Sequence, residues 1–170
     1  AALALAACAD SRTQAAMMAP TSVLARQYAE KLGPLLDRAN ISWALLTSAT
    51  SSSERADMTE AIAAGKCSIV FGTTALLSDT LQFHKLSLVV VDEQHRFGVD
   101  QRVALRRKGP GADLLAMTAT PIPRTLALTF YGDMDSSVIK KRPLAGAGVT
   151  TRSLVPANLD LAWGAIRTAV

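Results

Sequence analysis

Short apolar runs alternate with longer amphipathic segments along most of the chain. The runs are bounded by polar or glycine-containing turns, and this pattern is typical of strands buried on both faces of a parallel sheet. The predicted strands are Thr13–Met18, Ile41–Leu46, Cys67–Phe71, Leu88–Val91 and Leu114–Met117.

The segments between these runs have apolar residues at helical spacing and polar caps at their starts. Ser51 and Glu54 match a capping box, and Gly65 can end the same helix in a left-handed conformation. Strands that alternate with helices predict an α/β fold, with a parallel sheet and helices on both faces. The predicted helices are Ala1–Ala9, Ser22–Asp37, Ser51–Gly65, Val99–Lys108 and Arg124–Phe130.

The end of the chain has a different pattern. Residues 140–148 are basic and then rich in glycine and alanine, which predicts a linker or an exposed crossing. A strand over Val149–Val155 and a helix over Asn158–Thr168 follow, without an obvious partner in the first sheet. We therefore predict one domain over residues 1–142, and a linker with the start of a second domain over residues 143–170.

Composition adds modest constraints. The chain has 170 residues, 49% of them hydrophobic, which is enough for one globular core, and its formal net charge of +4 is compatible with nucleic acid without being diagnostic. Cys8 and Cys67 lie in apolar or strand-like contexts and are predicted to be buried free thiols, which favours a reducing compartment. No apolar stretch is long enough to span a membrane.

Candidate chemistry begins where the strand Leu88–Val91 ends. Asp92 and Glu93 follow it directly, and in open α/β sheets the ligand site lies just beyond the carboxyl ends of the strands. One carboxylate can hold a cation there while the other orients or deprotonates a water, as nucleotide hydrolysis requires. The alternative is a strand that ends in a solvated acidic turn.

Several longer motifs carry a family resemblance. They are Asp-Glu-Gln-His-Arg-Phe-Gly-Val-Asp-Gln-Arg at 92–102, Met-Thr-Ala-Thr-Pro-Ile-Pro-Arg-Thr-Leu-Ala-Leu-Thr at 117–129, Tyr-Gly-Asp-Met-Asp at 131–135, Met-Ala-Pro-Thr at 18–21 and Phe-Gly-Thr-Thr-Ala-Leu-Leu at 71–77. Together they resemble the RecG family of bacterial ATP-dependent DNA helicases, which belong to superfamily two and have a DEAH-type box. The resemblance covers nearly the whole chain and weakens after Lys140.

The resemblance implies a RecA-like P-loop NTPase fold of three α/β/α layers that uses ATP and Mg²⁺. It implies that Asp92 binds Mg²⁺ through water, that Glu93 activates the hydrolytic water, and that Gln94 and His95 connect the nucleotide to a coupling motif. The implied coupling residues are Thr118, Ala119 and Thr120, and the implied DNA-binding residues are Pro20, Thr21, Gly72, Thr73 and Thr74. The implied partner is branched double-stranded DNA in the bacterial cytoplasm, in association with the nucleoid.

Other interpretations remain open. The hydroxyl residues that precede helices can be plain capping turns, and Thr120 can cap a helix before Pro121. The transcription-repair coupling translocase is a similar motor, but Gln94 and His95 replace the Glu-Gln that is usual there. A non-catalytic interaction module is a third possibility.

One segment of a P-loop ATPase is missing from the sequence. No Gly-x-x-x-x-Gly-Lys-[Ser/Thr] motif is present, and we expect the chain to begin just after that loop, so that the sheet is incomplete at its N-terminus. We therefore expect the isolated chain to be inactive. We also expect it to self-associate through exposed edges of the sheet.

Overall fold

The computed structural model describes residues 1–93, 96–119, 135–139 and 153–169, and it divides into two units, Ala1–Arg124 and Thr125–Val170. The first unit contains a sheet of five parallel strands in the order β2-β3-β1-β4-β5. The strands are β1 Gln14–Met18, β2 Trp43–Leu46, β3 Ile69–Gly72, β4 Leu86–Asp92 and β5 Asp113–Met117.

The predicted capping signals begin and end one helix of this unit. Ser51 and Glu54 form the reciprocal capping box, and Gly65 adopts φ +73° after the helix that the box begins. The helices are α1 Ala2–Asp10, α2 Ser22–Arg38, α3 Ser52–Ala63 and α4 Val99–Arg107, with a 3₁₀ turn at Thr74–Leu77. The predicted strands and these helices are confirmed, with shifts of a few residues at their ends.

Alternate residues of the strands build a separate core on each face of the sheet. Ala16, Met18 and Val89 pack with Ile62 of α3 and Leu105 of α4 on one face. The other face packs against α1 and α2, and its buried members are Leu5, Ala15, Met17, Ala29, Leu36, Ile69, Phe71, Leu88 and Val90. The fold is therefore the three-layer α/β/α arrangement that was predicted.

The side chain of Gln14 connects the chain segments at the amino ends of β1, β3 and β4. Its side chain is 3% exposed, and its amide nitrogen donates to the carbonyls of Ile62 at 2.9 Å and Cys67 at 2.7 Å. Its amide oxygen accepts from the backbone nitrogen of Lys85 at 2.9 Å. Because each polar atom of this buried amide has a partner, Gln14 joins three chain segments without an unsatisfied group.

Both cysteines are free thiols, as predicted, although only Cys67 is fully buried and Cys8 is half-buried. Burial raises the pKa of Cys67 to about 11. Among the described residues, no helix combines the length and the apolar character that crossing a membrane would need.

The second unit contains a 3₁₀ turn at Pro156–Asn158 and the helix α5, Leu159–Ala169, which confirms the predicted final helix. The predicted helix Arg124–Phe130 and the predicted linker lie outside the described residues. The predicted strand Val149–Val155 lies mostly outside them too, and residues 153–155 form no strand. The predicted domain boundary after Arg142 also falls outside them and stays a prediction.

Gly72 ends β3 where two segments approach closely. A Cβ atom there would lie 2.5 Å from the carbonyl oxygen of Leu46 and 2.8 Å from the side chain of Leu76. We predict that Gly72→Ala lowers the free energy of unfolding of the chain by about 1–3 kcal/mol, because backbone on β2 must shift. Urea denaturation measures the loss.

The matched control for this substitution is Gly164→Ala in α5, where a Cβ atom would meet nothing within 4 Å. It should cause no loss of stability, because alanine is the better helix former. Equal stability of Gly72→Ala and the unmodified chain would contradict the packing explanation.

Candidate active site and nucleic-acid interface

The register of the parallel strands brings the predicted site residues to one edge of the sheet. Met18 of β1 pairs with Gly72 of β3 and with Val91 of β4, so these strands end almost level. Asp92 pairs with Met117 of β5. As a result, one group of site residues follows β1 and β3, and a second group follows β4 and β5.

Asp92 is half-buried and receives a hydrogen bond that the sequence did not predict. The hydroxyl of Tyr28, on α2, donates to Asp92 Oδ2 at 2.5 Å. Burial is the main cause that raises the pKa of Tyr28 above its ordinary value, followed by its hydrogen bond to Asp92 and by the negative charges of Asp92 and Glu93. The Tyr28 hydroxyl therefore stays protonated and acts as a fixed donor.

Glu93 begins the turn after β4 with an unusual backbone conformation. Its φ of +48° lies in the left-handed region, which residues other than glycine adopt rarely and which Arg12 and Asn40 also adopt in this chain. The turn is held by a hydrogen bond from the backbone nitrogen of Arg96 to the Glu93 carbonyl at 2.8 Å. The hydroxyl of Thr118, at the end of β5, donates to Glu93 Oε2 at 3.2 Å.

The predicted catalytic and coupling residues are thus partly brought together. Thr118 lies beside Glu93, and Ala119 follows it in an exposed position. Gln94, His95 and Thr120 lie outside the described residues, so their predicted roles stay predictions.

The carboxylates fit what a magnesium–nucleotide complex requires. Mg²⁺ keeps several waters and binds through one or two carboxylates together with phosphate oxygens. Asp92 and Glu93 supply hard oxygen donors, and the described part of the chain has no group of three or more His, Cys, Asp or Glu side chains that could form an all-protein cage. Asp92 can hold the ion through water, and bound ATP would supply the remaining phosphate ligands.

The second group of residues forms an open groove of about 550 Å³ across the ends of β1, β2 and β3. It is lined by hydroxyl-bearing residues, proline, alanine and one arginine. The lining residues are Pro20, Thr21, Ser22, Ser48, Arg55, Thr73, Thr74 and Ala75. Four of the five predicted DNA-binding residues line this groove, and Gly72 lies under it as a packing residue.

The capping alternative is correct for two of the threonines. Thr21 Oγ1 accepts from the backbone nitrogen of Leu24 at 3.3 Å, and Thr73 Oγ1 accepts from that of Ala75 at 3.5 Å. A hydroxyl that accepts a hydrogen bond still has its own proton to donate. Capping and contact with a phosphate are therefore compatible roles for these side chains.

Arg55 and Tyr28 are the site residues that the sequence did not reveal. Arg55 lies in the first turns of α3, which also carries Glu54, Asp57 and Glu60, and charged residues on such a helix are usually solvated. Tyr28 lies at helical spacing among the apolar residues of α2, which indicated only a core position. The contacts that identify them join elements far apart in the sequence, Tyr28 of α2 with Asp92 of β4 and Arg55 of α3 with Thr47 after β2.

The strand order and the helices on both faces of the sheet define a RecA-like domain of the kind found in helicases. The DEAD/DEAH box helicase family matches residues 1–129, and the chain belongs to this family.

Within this family, RecG helicases are among the similar proteins, and the predicted resemblance is confirmed. The chain is 50% identical over 151 residues to the ATP-dependent DNA helicase RecG of Bacillus subtilis, which covers 89% of the chain and 22% of that protein. It is 48% identical over 139 residues to RecG of Streptococcus pneumoniae, which covers 82% of the chain and 20% of that protein.

A solved structure of RecG bound to a three-way DNA junction matches with a TM-score of 0.71 and 38% identity, covering 91% of the chain and 21% of that structure's chain. The chain therefore spans about a fifth of the length of the relatives it matches.

We predict that Tyr28→Phe lowers the free energy of unfolding by about 1.5–3 kcal/mol at neutral pH, because it removes a donor to a charged carboxylate. The folded pKa of Tyr28 is raised, so its contribution is complete below about pH 10 and declines as the pH rises further. Urea denaturation at neutral and alkaline pH measures both effects.

A double-mutant cycle with Asp92→Ala provides the control for this prediction. If the hydroxyl acts through Asp92, Tyr28→Phe should cost much less in the Asp92→Ala background. Equal costs in the two backgrounds would show that the hydroxyl stabilises the fold in some other way.

Proposed function

We propose that this chain is most of the first RecA-like motor domain of a RecG-type helicase. The complete helicase would couple ATP hydrolysis to movement on branched double-stranded DNA, such as stalled forks and Holliday junctions, in DNA repair and recombination. It would act in the bacterial cytoplasm at the nucleoid. The main support is the placement of Asp92 and Glu93 at the end of β4, with Thr118 of the neighbouring strand bonded to Glu93.

In this proposal, Asp92 holds Mg²⁺ through water, and Tyr28 keeps its carboxylate oriented. Mg²⁺ would neutralise charge on the phosphates of ATP. Glu93 accepts a proton from the attacking water, as a general base placed next to the metal carboxylate. Thr118 holds the Glu93 carboxylate and, with Ala119 and Thr120, connects the nucleotide to the rest of the motor.

The groove at the ends of β1, β2 and β3 is the proposed DNA-binding surface. Hydroxyls and backbone N–H groups beside helix starts suit contact with phosphate oxygens. Pro20, Thr21, Thr73 and Thr74 line this groove, and Gly72 allows β3 to end close to β2. Such contacts position a nucleic acid without reading its sequence, as a translocating motor requires.

Two alternatives are weaker. A non-catalytic module gives no reason for a left-handed Glu93 held by Thr118 beside a second carboxylate. The transcription-repair coupling translocase is disfavoured by Gln94 and His95. Because the sequence contains no Gly-x-x-x-x-Gly-Lys-[Ser/Thr] segment, we propose that the chain alone does not hydrolyse ATP.

The catalytic roles can be tested in a chimera, in which this chain replaces the matching segment of the RecG helicase of Bacillus subtilis. We predict that Glu93→Gln lowers ATP hydrolysis by roughly 10²–10⁴-fold while nucleotide affinity stays nearly unchanged. DNA binding should persist, and unwinding should fall together with hydrolysis. Steady-state ATPase rates and binding of a fluorescent nucleotide give the two readouts.

Asp92→Asn provides the matched comparison, because it should also weaken Mg²⁺-dependent nucleotide binding. The assigned roles are wrong if Glu93→Gln loses nucleotide affinity but keeps the hydrolysis rate of its bound fraction. An unmodified chimera without DNA-stimulated hydrolysis would contradict the proposed function as a whole.

We also propose that the isolated chain self-associates through an edge of its sheet. Among the described residues, β5 pairs with β4 alone, so one side of Asp113–Met117 has no strand beside it. Open edges of this kind pair readily with other chains. Sedimentation velocity over a range of concentrations should show dimers or larger species, and a monodisperse monomer that melts cooperatively would count against this proposal.

A further inference from the structure

Among the described residues that line the groove, Arg55 is the one with a charged side chain. It comes from α3, whereas the predicted DNA-binding residues follow β1 and β3. Its guanidinium donates to the carbonyl oxygen of Thr47, at the end of β2, at 2.7 Å. In the part of the chain that the structure describes, the groove therefore combines one fixed cation with several hydroxyls, and no carboxylate lines it.

The loop that holds Arg55 is firmly braced. Thr47 is 5% exposed, its backbone nitrogen donates to Thr50 Oγ1 at 3.1 Å, and its own Oγ1 accepts from the nitrogen of Ala49 at 3.2 Å. The capping box of Ser51 and Glu54 then fixes the start of α3. Arg55 is thus half-buried and pre-oriented, so binding a ligand would cost it little side-chain entropy.

The guanidinium keeps most of its donors available. Arginine has five N–H donors in a planar fork, and within the described part of the chain Arg55 makes its one hydrogen bond to Thr47 and no ion pair. A planar fork with a permanent positive charge matches the geometry of a phosphodiester. A second depression beside Arg55, of about 430 Å³, contains Glu60, whose negative charge would repel a phosphate.

We infer that Arg55 is a phosphate-binding residue of the groove, and that it supplies the charge-assisted contact to a DNA backbone that crosses the ends of β1, β2 and β3. This inference rests on the proposed function, because it takes the groove as the DNA-binding surface. In it, Thr21, Thr73 and Thr74 donate neutral hydrogen bonds to neighbouring phosphate oxygens. Arg55 sets most of the dependence of this contact on salt.

The test uses the chimera with Bacillus subtilis RecG and a fluorescein-labelled three-way DNA junction. Arg55→Gln should weaken junction binding on the order of tenfold and lower the slope of log affinity against log salt by about 0.7–0.9, as loss of one phosphate contact requires. Affinities are measured by anisotropy between about 50 and 200 mM salt.

Arg38→Gln is the matched control. Arg38 also donates to a backbone carbonyl, that of Pro34 at 3.2 Å, but it lies at the opposite end of α2 from the groove. Its loss should leave the slope unchanged. Arg55→Lys keeps the charge and should restore the slope while it recovers only part of the affinity, because lysine lacks the fork.

Several outcomes would overturn the inference. One is a lower melting temperature for Arg55→Gln with an unchanged slope, which would mean that the side chain only braces the loop. Another is an equal change of slope for Arg55→Gln and Arg38→Gln, which would reflect net charge alone. If the unmodified chimera does not bind the junction, the proposed function fails together with this inference. If the unmodified chimera binds and one of the two outcomes above is observed, this inference alone fails.

A second measurement does not depend on how well a variant folds. In the unmodified chimera, the junction should protect Arg55 from modification by phenylglyoxal and leave Arg38 reactive, as read by mass spectrometry. Inorganic phosphate at the same ionic strength should give little protection if the site is shaped for a DNA backbone. Equal modification of Arg55 with and without the junction would contradict the inference.

Discussion

The pairing of β1 with strands on both sides is the constraint on which the rest of this structure depends. Its residues are almost completely buried, and each face of the strand packs into a different core. A slip of one residue would turn Ala15 and Met17 toward the wrong core, so the register is strongly specified. At the amino end, the buried side chain of Gln14 joins the same strand to the segments that lead into β3 and β4. Because the strands are aligned there, they also end together at the opposite edge, and that edge carries the proposed site residues.

This alignment explains why one helix serves two groups of site residues. α2 begins at Thr21, in the groove, and Tyr28 lies two turns further along the same helix. From there its hydroxyl reaches Asp92 at the end of β4. A helix with a capped start is a physical connection between the proposed DNA-binding groove and the carboxylate that is proposed to hold Mg²⁺. The sheet supplies the second connection, because β1 contacts both β3 and β4 directly.

The helices and strands could be predicted from the sequence because the signals that specify them act over a few neighbouring residues. The capping box of Ser51 and Glu54 and the left-handed Gly65 act within a few residues of chain, and the structure shows both. Asp92 and Glu93 could be placed at a strand end because a buried apolar run precedes them. Arg55 and Tyr28 could not be identified in this way, because their partners, Thr47 O and Asp92 Oδ2, depend on how helices cross the sheet. The left-handed backbone conformation of Glu93 could not be predicted from the sequence either, since glutamate has no preference for that region.

The backbone conformation of Glu93 helps to distinguish a functional site from an ordinary acidic turn. A left-handed φ at a residue such as Glu93 costs of order 1–3 kcal/mol and persists only where the surroundings hold it. Here the holding contacts are a backbone bond from Arg96 and a side-chain bond from Thr118, and the second comes from another strand. A solvated acidic turn would need neither the strain nor the threonine. A requirement for one orientation of the Glu93 carboxylate would account for this arrangement, because a general base must point at the water it deprotonates.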